Sequence, residues 1–132
     1  MNQTVSMILW ALLAFQIKHF VADFVLQTQR QVMKKGFYGH PAGLAHAALH
    51  GVGSIPALLI LTDRSGALAL MVAAEVVIHY HADWLKAQTD RRFHLSTQQH
   101  IYWVIFGLDQ LVHQLTYVGI LLVLFREGWT RF

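Results

Sequence analysis

Four long apolar runs alternate with short polar ones along the chain, and each apolar run is broken by histidine and carboxylate residues four positions apart. The runs predict helices over about 4–29, 42–62, 66–88 and 97–126. Each is long enough to cross about 30 Å of hydrocarbon, which takes roughly 20 residues of helix. Local signals mark the ends. Asn2 or Thr4 can cap the first helix, Pro41 suits the first turn of the second, and Asp63-Arg64-Ser65-Gly66 reads as a tight polar turn. Ser96-x-x-Gln99 has the form of a capping box that would start the fourth helix near Thr97, and Gly128 suits its end.

The polar interruptions do not belong in such helices unless something offsets their cost, roughly 2.5–3.5 kcal/mol for a charged group at the centre of a spanning helix. Glu75, His79 and Asp83 recur at i, i+4 and i+8, so they form one stripe on one helix face. The other runs carry matching pairs: His19 with Asp23, His46 with His50, and Asp109 with His113. Counted in turns from the segment ends, these positions other than Glu75 fall in one slab. In an up-down-up-down bundle, stripes at one depth meet in the core, as the ligands of di-metal carboxylate bundles do.

Composition sharpens this into a membrane reading. Of the 132 residues, 55% are hydrophobic and only 13% charged, outside the range of ordinary soluble domains. The expected fold is all-α: a single integral membrane domain over 1–132, a four-helix bundle running up-down-up-down. The first four residues lack the basic start of a cleavable signal peptide, so the first helix is expected to be retained. With no cysteine, thiolate metal sites and disulfides are excluded, and any metal must be held by nitrogen and oxygen. The net charge of +3 is modest, and no nucleic-acid motif is present. The basic residues Arg30, Lys34, Lys35, Lys86, Arg91 and Arg92 follow the first and third segments, which places those loops in the cytoplasm and both termini outside. The same six residues are candidates for binding an anionic lipid headgroup.

His19, Asp23, His46, His50, His79, Asp83, Asp109 and His113 are therefore the candidate metal ligands. They suffice for two divalent ions, and imidazole with carboxylate suits zinc, iron or manganese without choosing among them. Glu75, one turn deeper than His79, is a ligand, a proton carrier or a buried acid. Gln27, Tyr80, Gln110 and Gln114 are candidates to orient the ligands by hydrogen bonds. Gly43, Ala47 and Gly51 form a small-residue stripe that lets helices approach closely. The competing reading is a polar core that glues the helices together or relays protons. One His–Asp pair would fit that better; four pairs at one depth favour metal. His81 points away from His79 and is expected to meet a neighbour or the interface, Lys18 to snorkel or pair with an acid, and His40, His94 and His100 to be solvated.

The run His19-Phe20-Val21-Ala22-Asp23-Phe24-Val25-Leu26-Gln27-Thr28, the histidines at 46 and 50, His79-Tyr80-His81-Ala82-Asp83-Trp84-Leu85-Lys86 and Leu108-Asp109-Gln110-Leu111-Val112-His113 together resemble the bacterial membrane-protein family catalogued as domain of unknown function 3307. Ala82 and Trp84 depart from the family pattern as we know it, but the polar positions keep to it. The resemblance spans nearly the whole chain and implies a small multi-pass protein of the bacterial cytoplasmic (inner) membrane, without assigning an activity. Function then rests on the site. A dinuclear metal-dependent hydrolase acting on an anionic lipid or isoprenoid substrate from the cytoplasmic side is the first reading; a di-iron oxidase is disfavoured by the aspartates. The alternatives are a divalent-metal, zinc-like transporter or sensor built on the His-x-x-x-Asp pairs, which would need a homo-oligomer, and a non-catalytic membrane subunit with a polar core.

Overall fold

A computed structural model describes residues 2–132 of the chain. It is all-α, with no strand among the described residues. The elements are α1 (Gln3–Phe20), a π-helical turn (Val21–Val25), the short α2 (Gln29–Lys34), α3 (Pro41–Leu61), α4 (Ser65–Arg92) and α5 (His100–Arg126). The four long helices are each long and apolar enough to cross a membrane. Neighbours in sequence are neighbours in space: α3 packs against α1 and α4, α4 against α5, and α1 and α5 close the bundle mainly through side chains. Apolar side chains such as Trp10, Ile17, Val52, Leu111 and Leu122 face outward, as a lipid-facing surface requires.

Three ends differ from the sequence expectation. The first helix does not run straight to residue 29. It widens into the π turn, where Leu26 N–H donates to the Val21 carbonyl at 2.9 Å, and then breaks. The break has a local cause, because Thr28 and Gln31 form a reciprocal capping box that starts α2. Conversely, Ser96 and Gln99 do not start the fourth helix. Gln99 Oε1 accepts from Ser96 N–H at 3.0 Å inside a turn, and α5 begins at His100. The third long helix runs past residue 88 to Arg92, helped by the Lys86–Asp90 pair at 2.6 Å and by basic residues in its last turn. Other ends follow expectation. Asn2 caps α1, Pro41 opens α3, and Gly128 (φ +62°) closes α5 in a Schellman motif, with Trp129 N–H donating to the Leu124 carbonyl at 2.8 Å.

The interior divides in two along the bundle axis. The half containing the chain termini is apolar: Ala11, Phe15, Leu58, Leu61, Met71 and Leu124 fill it. It is sealed where Arg131 N–H donates to the Leu61 carbonyl at 3.0 Å and Thr62 O–H to the Trp129 carbonyl at 2.6 Å. The other half is polar. There α3 approaches α4 so closely that a Cβ at Gly51 would collide with Val76 Cγ2, and it meets the end of α2, where a Cβ at Gly43 would sit 3.3 Å from Lys35 Cα. Short side chains can therefore meet across the axis.

Candidate metal centre

Each of the four long helices sends its polar stripe into this second half. His19 and Asp23 come from α1 and its π turn, His46 and His50 from α3, Glu75, His79 and Asp83 from α4, and Asp109 and His113 from α5. All are buried except Asp23, which is half-buried. The π turn carries Asp23 itself, a location where such bulges often serve function.

The arrangement is two aspartates, each ringed by three imidazoles. Asp23 Oδ1 lies 2.9 Å from His50 Nε2 and 3.2 Å from His46 Nε2, and its Oδ2 lies 3.2 Å from His19 Nε2. Asp83 Oδ2 lies 3.5 Å from His46 Nε2 and 3.6 Å from His79 Nε2, and its Oδ1 lies 3.8 Å from His113 Nε2. His46 thus stands between the two carboxylates. His79 is sandwiched between His50 and His113, with ring centroids 3.7 and 4.1 Å apart. Asp109 stands at the edge, its Oδ1 3.5 Å from His113 Nε2.

Two overlapping sets have the geometry to hold a metal ion: Asp23, His46, His50 and His79, and His79, Asp83 and His113, with ligand atoms within 4.8 Å of one another in each. His19 and Asp109 stand outside both sets. The fit can be tested on the atoms left over. His79 Nε2, His113 Nε2, His46 Nδ1, Asp109 Oδ1 and Glu75 Oε2 are buried with no hydrogen-bond partner. Each such atom costs about 1–3 kcal/mol, and most of them are lone-pair donors of the kind a cation recruits.

Two lysines enter where sequence reasoning placed them only loosely. Lys18 pairs with Glu75 inside the bundle and also donates to His50 Nδ1 at 3.3 Å and to the His50 carbonyl at 3.2 Å. On its other edge, His50 Nε2 lies 2.9 Å from Asp23 Oδ1. Glu75 is therefore a partner of Lys18 rather than a member of either set. Lys35, expected to face a headgroup, instead turns inward and bonds Asp83 Oδ1 at 3.0 Å. Burial opposes its charge, but Asp83 beside it outweighs that and raises the amine above its ordinary pKa. Of the other basic residues, Arg30 and Arg92 are exposed, Lys86 pairs with Asp90, and Lys34 and Arg91 lie over the Phe37 ring.

The expected orienting residues divide as well. Gln27 Nε2 lies 3.0 Å from His46 Nε2, and Gln110 Oε1 accepts from His19 Nε2 at 3.0 Å. Gln114 and Tyr80 do not reach the centre. Gln114 accepts from Gln16 at 2.6 Å, closing the α1–α5 seam, and the Tyr80 hydroxyl accepts from Gly39 N–H at 2.6 Å, fastening the loop before α3. Tyr117, which sequence reasoning did not single out, donates to His19 Nδ1 at 3.0 Å and stacks on Phe15. Its place one turn beyond His113 on the same face was the available signal. His81 meets the Tyr38 hydroxyl at 3.1 Å, and His94 and His100 are exposed. His40 is not simply solvated, since its Nδ1 accepts from Ala42 N–H at 3.1 Å and caps α3.

Fold and site together define a class: an all-α protein with four helices able to cross a membrane and a buried histidine–aspartate cluster able to hold metal. The chain belongs to the family described as protein of unknown function (DUF3307), whose family model matches residues 9–130. Comparison with curated proteins and with solved structures gave no match.

Proposed function

We propose that the protein holds divalent metal in this centre, two ions when full, and hydrolyses an anionic lipid or isoprenoid ester or phosphoester from the cytoplasmic side of the bacterial inner membrane. The observation that carries this reading is the convergence of six ligand-type residues from all four long helices into two sets of metal-binding geometry. Asp23, His46 and His50 would hold one ion and Asp83, His113 and Asp109 the other, with His79 available to either. Bound ions would supply Lewis-acid polarisation of the substrate and would activate water near neutral pH. In the hydrolysis, oxygen from water bonds to the ester carbon or phosphorus, the bond to the leaving oxygen breaks, and the proton released by water passes to that oxygen. Glu75, whose Oε2 is unpartnered beside Lys18, would carry it. Arg30 and Arg92, exposed at the end of the bundle nearest the centre, favour an anionic headgroup there.

The reading is tested by purifying the protein in mild detergent without added metal. Bound metal is measured per chain by elemental mass spectrometry, and the loaded protein is then assayed for release of water-soluble product from anionic lipid vesicles. About two zinc, iron or manganese ions and metal-dependent release are expected. Metal without release, together with uptake of that metal into proteoliposomes, would replace the hydrolase by a transporter. No metal in folded protein would leave only the polar-core reading.

A further inference from the structure

The two candidate sets differ in what already stands at their carboxylates. In the first, the charge-bearing partners of Asp23 among the described residues are imidazoles, those of His19, His46 and His50 at 2.9–3.2 Å. In the second, Asp83 Oδ1 accepts from the Lys35 ammonium at 3.0 Å, and the nearest imidazole nitrogen, His46 Nε2, is 3.5 Å from Oδ2. A cation is thus already bonded to Asp83. The imidazole atoms that would share an ion with that carboxylate, His79 Nε2 and His113 Nε2, are buried without a partner.

Lys18, the other ammonium in this half, is placed differently. It lies 3.3 Å from His50 Nδ1, but its charge is met by Glu75, which belongs to neither set, and the His50 carbonyl at 3.2 Å is a further acceptor. For Lys35, the bonded carboxylate is itself a candidate ligand.

Lys35 is also tethered. It caps the end of α2, its side chain is only 16% exposed, and its Cα packs against Gly43 of α3. The loop behind it is fastened to α4: the Gly36 carbonyl accepts from Arg91 Nη1 at 3.0 Å and from Gln88 Nε2, and Gly39 N–H donates to the Tyr80 hydroxyl. The ammonium can move only as far as its four-carbon stem allows. An ion entering the second set must take Asp83 from it or share the carboxylate with a like charge. Either way affinity falls, and more so than at the first set, whose carboxylate Lys35 does not bond.

We propose that the two sets are inequivalent ion sites. Asp23, His46 and His50 form the tight one that fills first; Asp83 and His113 form a weaker, exchangeable one whose affinity is set by Lys35, with His79 available to either. This deepens the metal-centre reading and rests on it.

The test uses full-length protein in mild detergent, stripped of metal by a chelator and titrated with zinc ions against a chromogenic competitor. The wild type is expected to bind one ion tightly and a second at least about tenfold more weakly. Repulsion between the two ions would also produce that ranking, so the variants decide. Lys35→Met removes the charge and keeps the stem, and should tighten the second ion at least about tenfold while the first stays as it was. Lys35→Gln repeats the test should Lys35→Met fail to fold. Arg126→Met removes the same charge at the far end of the bundle, from a side chain 87% exposed, and should change neither affinity. His113→Ala should abolish the weak ion and keep the tight one. Two ions of equal affinity, a second ion unaffected by either Lys35 variant, or loss of the tight ion in His113→Ala would overturn the inference and keep the metal centre. Zinc bound by none of the folded proteins would sink the metal centre, and the inference with it.

Discussion

The same four helices build two interiors. In the half near the termini, Phe15, Leu58, Leu61 and Leu124 fill space with no polar demands to meet, and a hydroxyl and a backbone amide seal the end. In the other half, the equivalent inward positions are histidine, aspartate and glutamate, and several of their atoms have no partner. Surrounded by lipid, helices gain little from hydrophobic burial against one another, so the apolar half is held by shape and dispersion. The polar half incurs a desolvation cost that shape cannot offset. Stability accounts for the first half. It does not account for the second, whose histidines and aspartates could hold a metal ion.

This contrast can be broken most forcefully at His79, the residue common to both sets. His79→Ala is expected to weaken metal binding by at least ~100-fold, read as lost metal per chain in elemental mass spectrometry, while circular dichroism still shows the helices. A neutral effect on metal would dissolve the distinction between the halves. Next in size is the Lys18–Glu75 pair. Lys18→Met or Glu75→Gln alone leaves one buried charge unmatched and should cost about 3–5 kcal/mol in detergent unfolding. The double variant should recover most of that loss, and equal costs in single and double variants would show that the pair is not coupled.

Leu58→Ala sharpens the contrast from the other side. Cutting a fully buried leucine should cost about 2–5 kcal/mol of stability, yet metal per folded chain should stay the same. Metal falling in proportion to stability would mean that the halves are one unit. The smallest effect is expected for His94→Ala with His100→Ala. Both residues are exposed, and their loss should change stability by no more than about 0.5 kcal/mol and leave metal content as it was.

Much of this was legible in the chain itself. Helix existence is a local matter of apolar length, and four long runs punctuated by Pro41, Asp63-Arg64-Ser65-Gly66 and Gly128 left little choice. The i, i+4 stripes were equally plain, because a helix fixes which residues share a face whatever it packs against. The ends of helices were less legible where side chains compete for the backbone: Thr28–Gln31 and Ser96–Gln99 carry similar capping signals, and only the first caps a helix. Lys35 could not be placed, because a lysine in a short loop reads as solvated until the loop is folded against a carboxylate.

By itself, then, the sequence determined an all-α membrane-type bundle, its slab of polar positions, and the helix faces that carry them, all properties of period and composition within a single helix. Only the tertiary structure decided which imidazoles gather around Asp23 and which around Asp83, and that Lys18 meets Glu75 and Lys35 meets Asp83. Those depend on how far each helix is rotated about its own axis and how closely it approaches its neighbour. Both are set by contacts such as Gly51 against Val76 and Phe15 against Tyr117 between residues far apart in the chain.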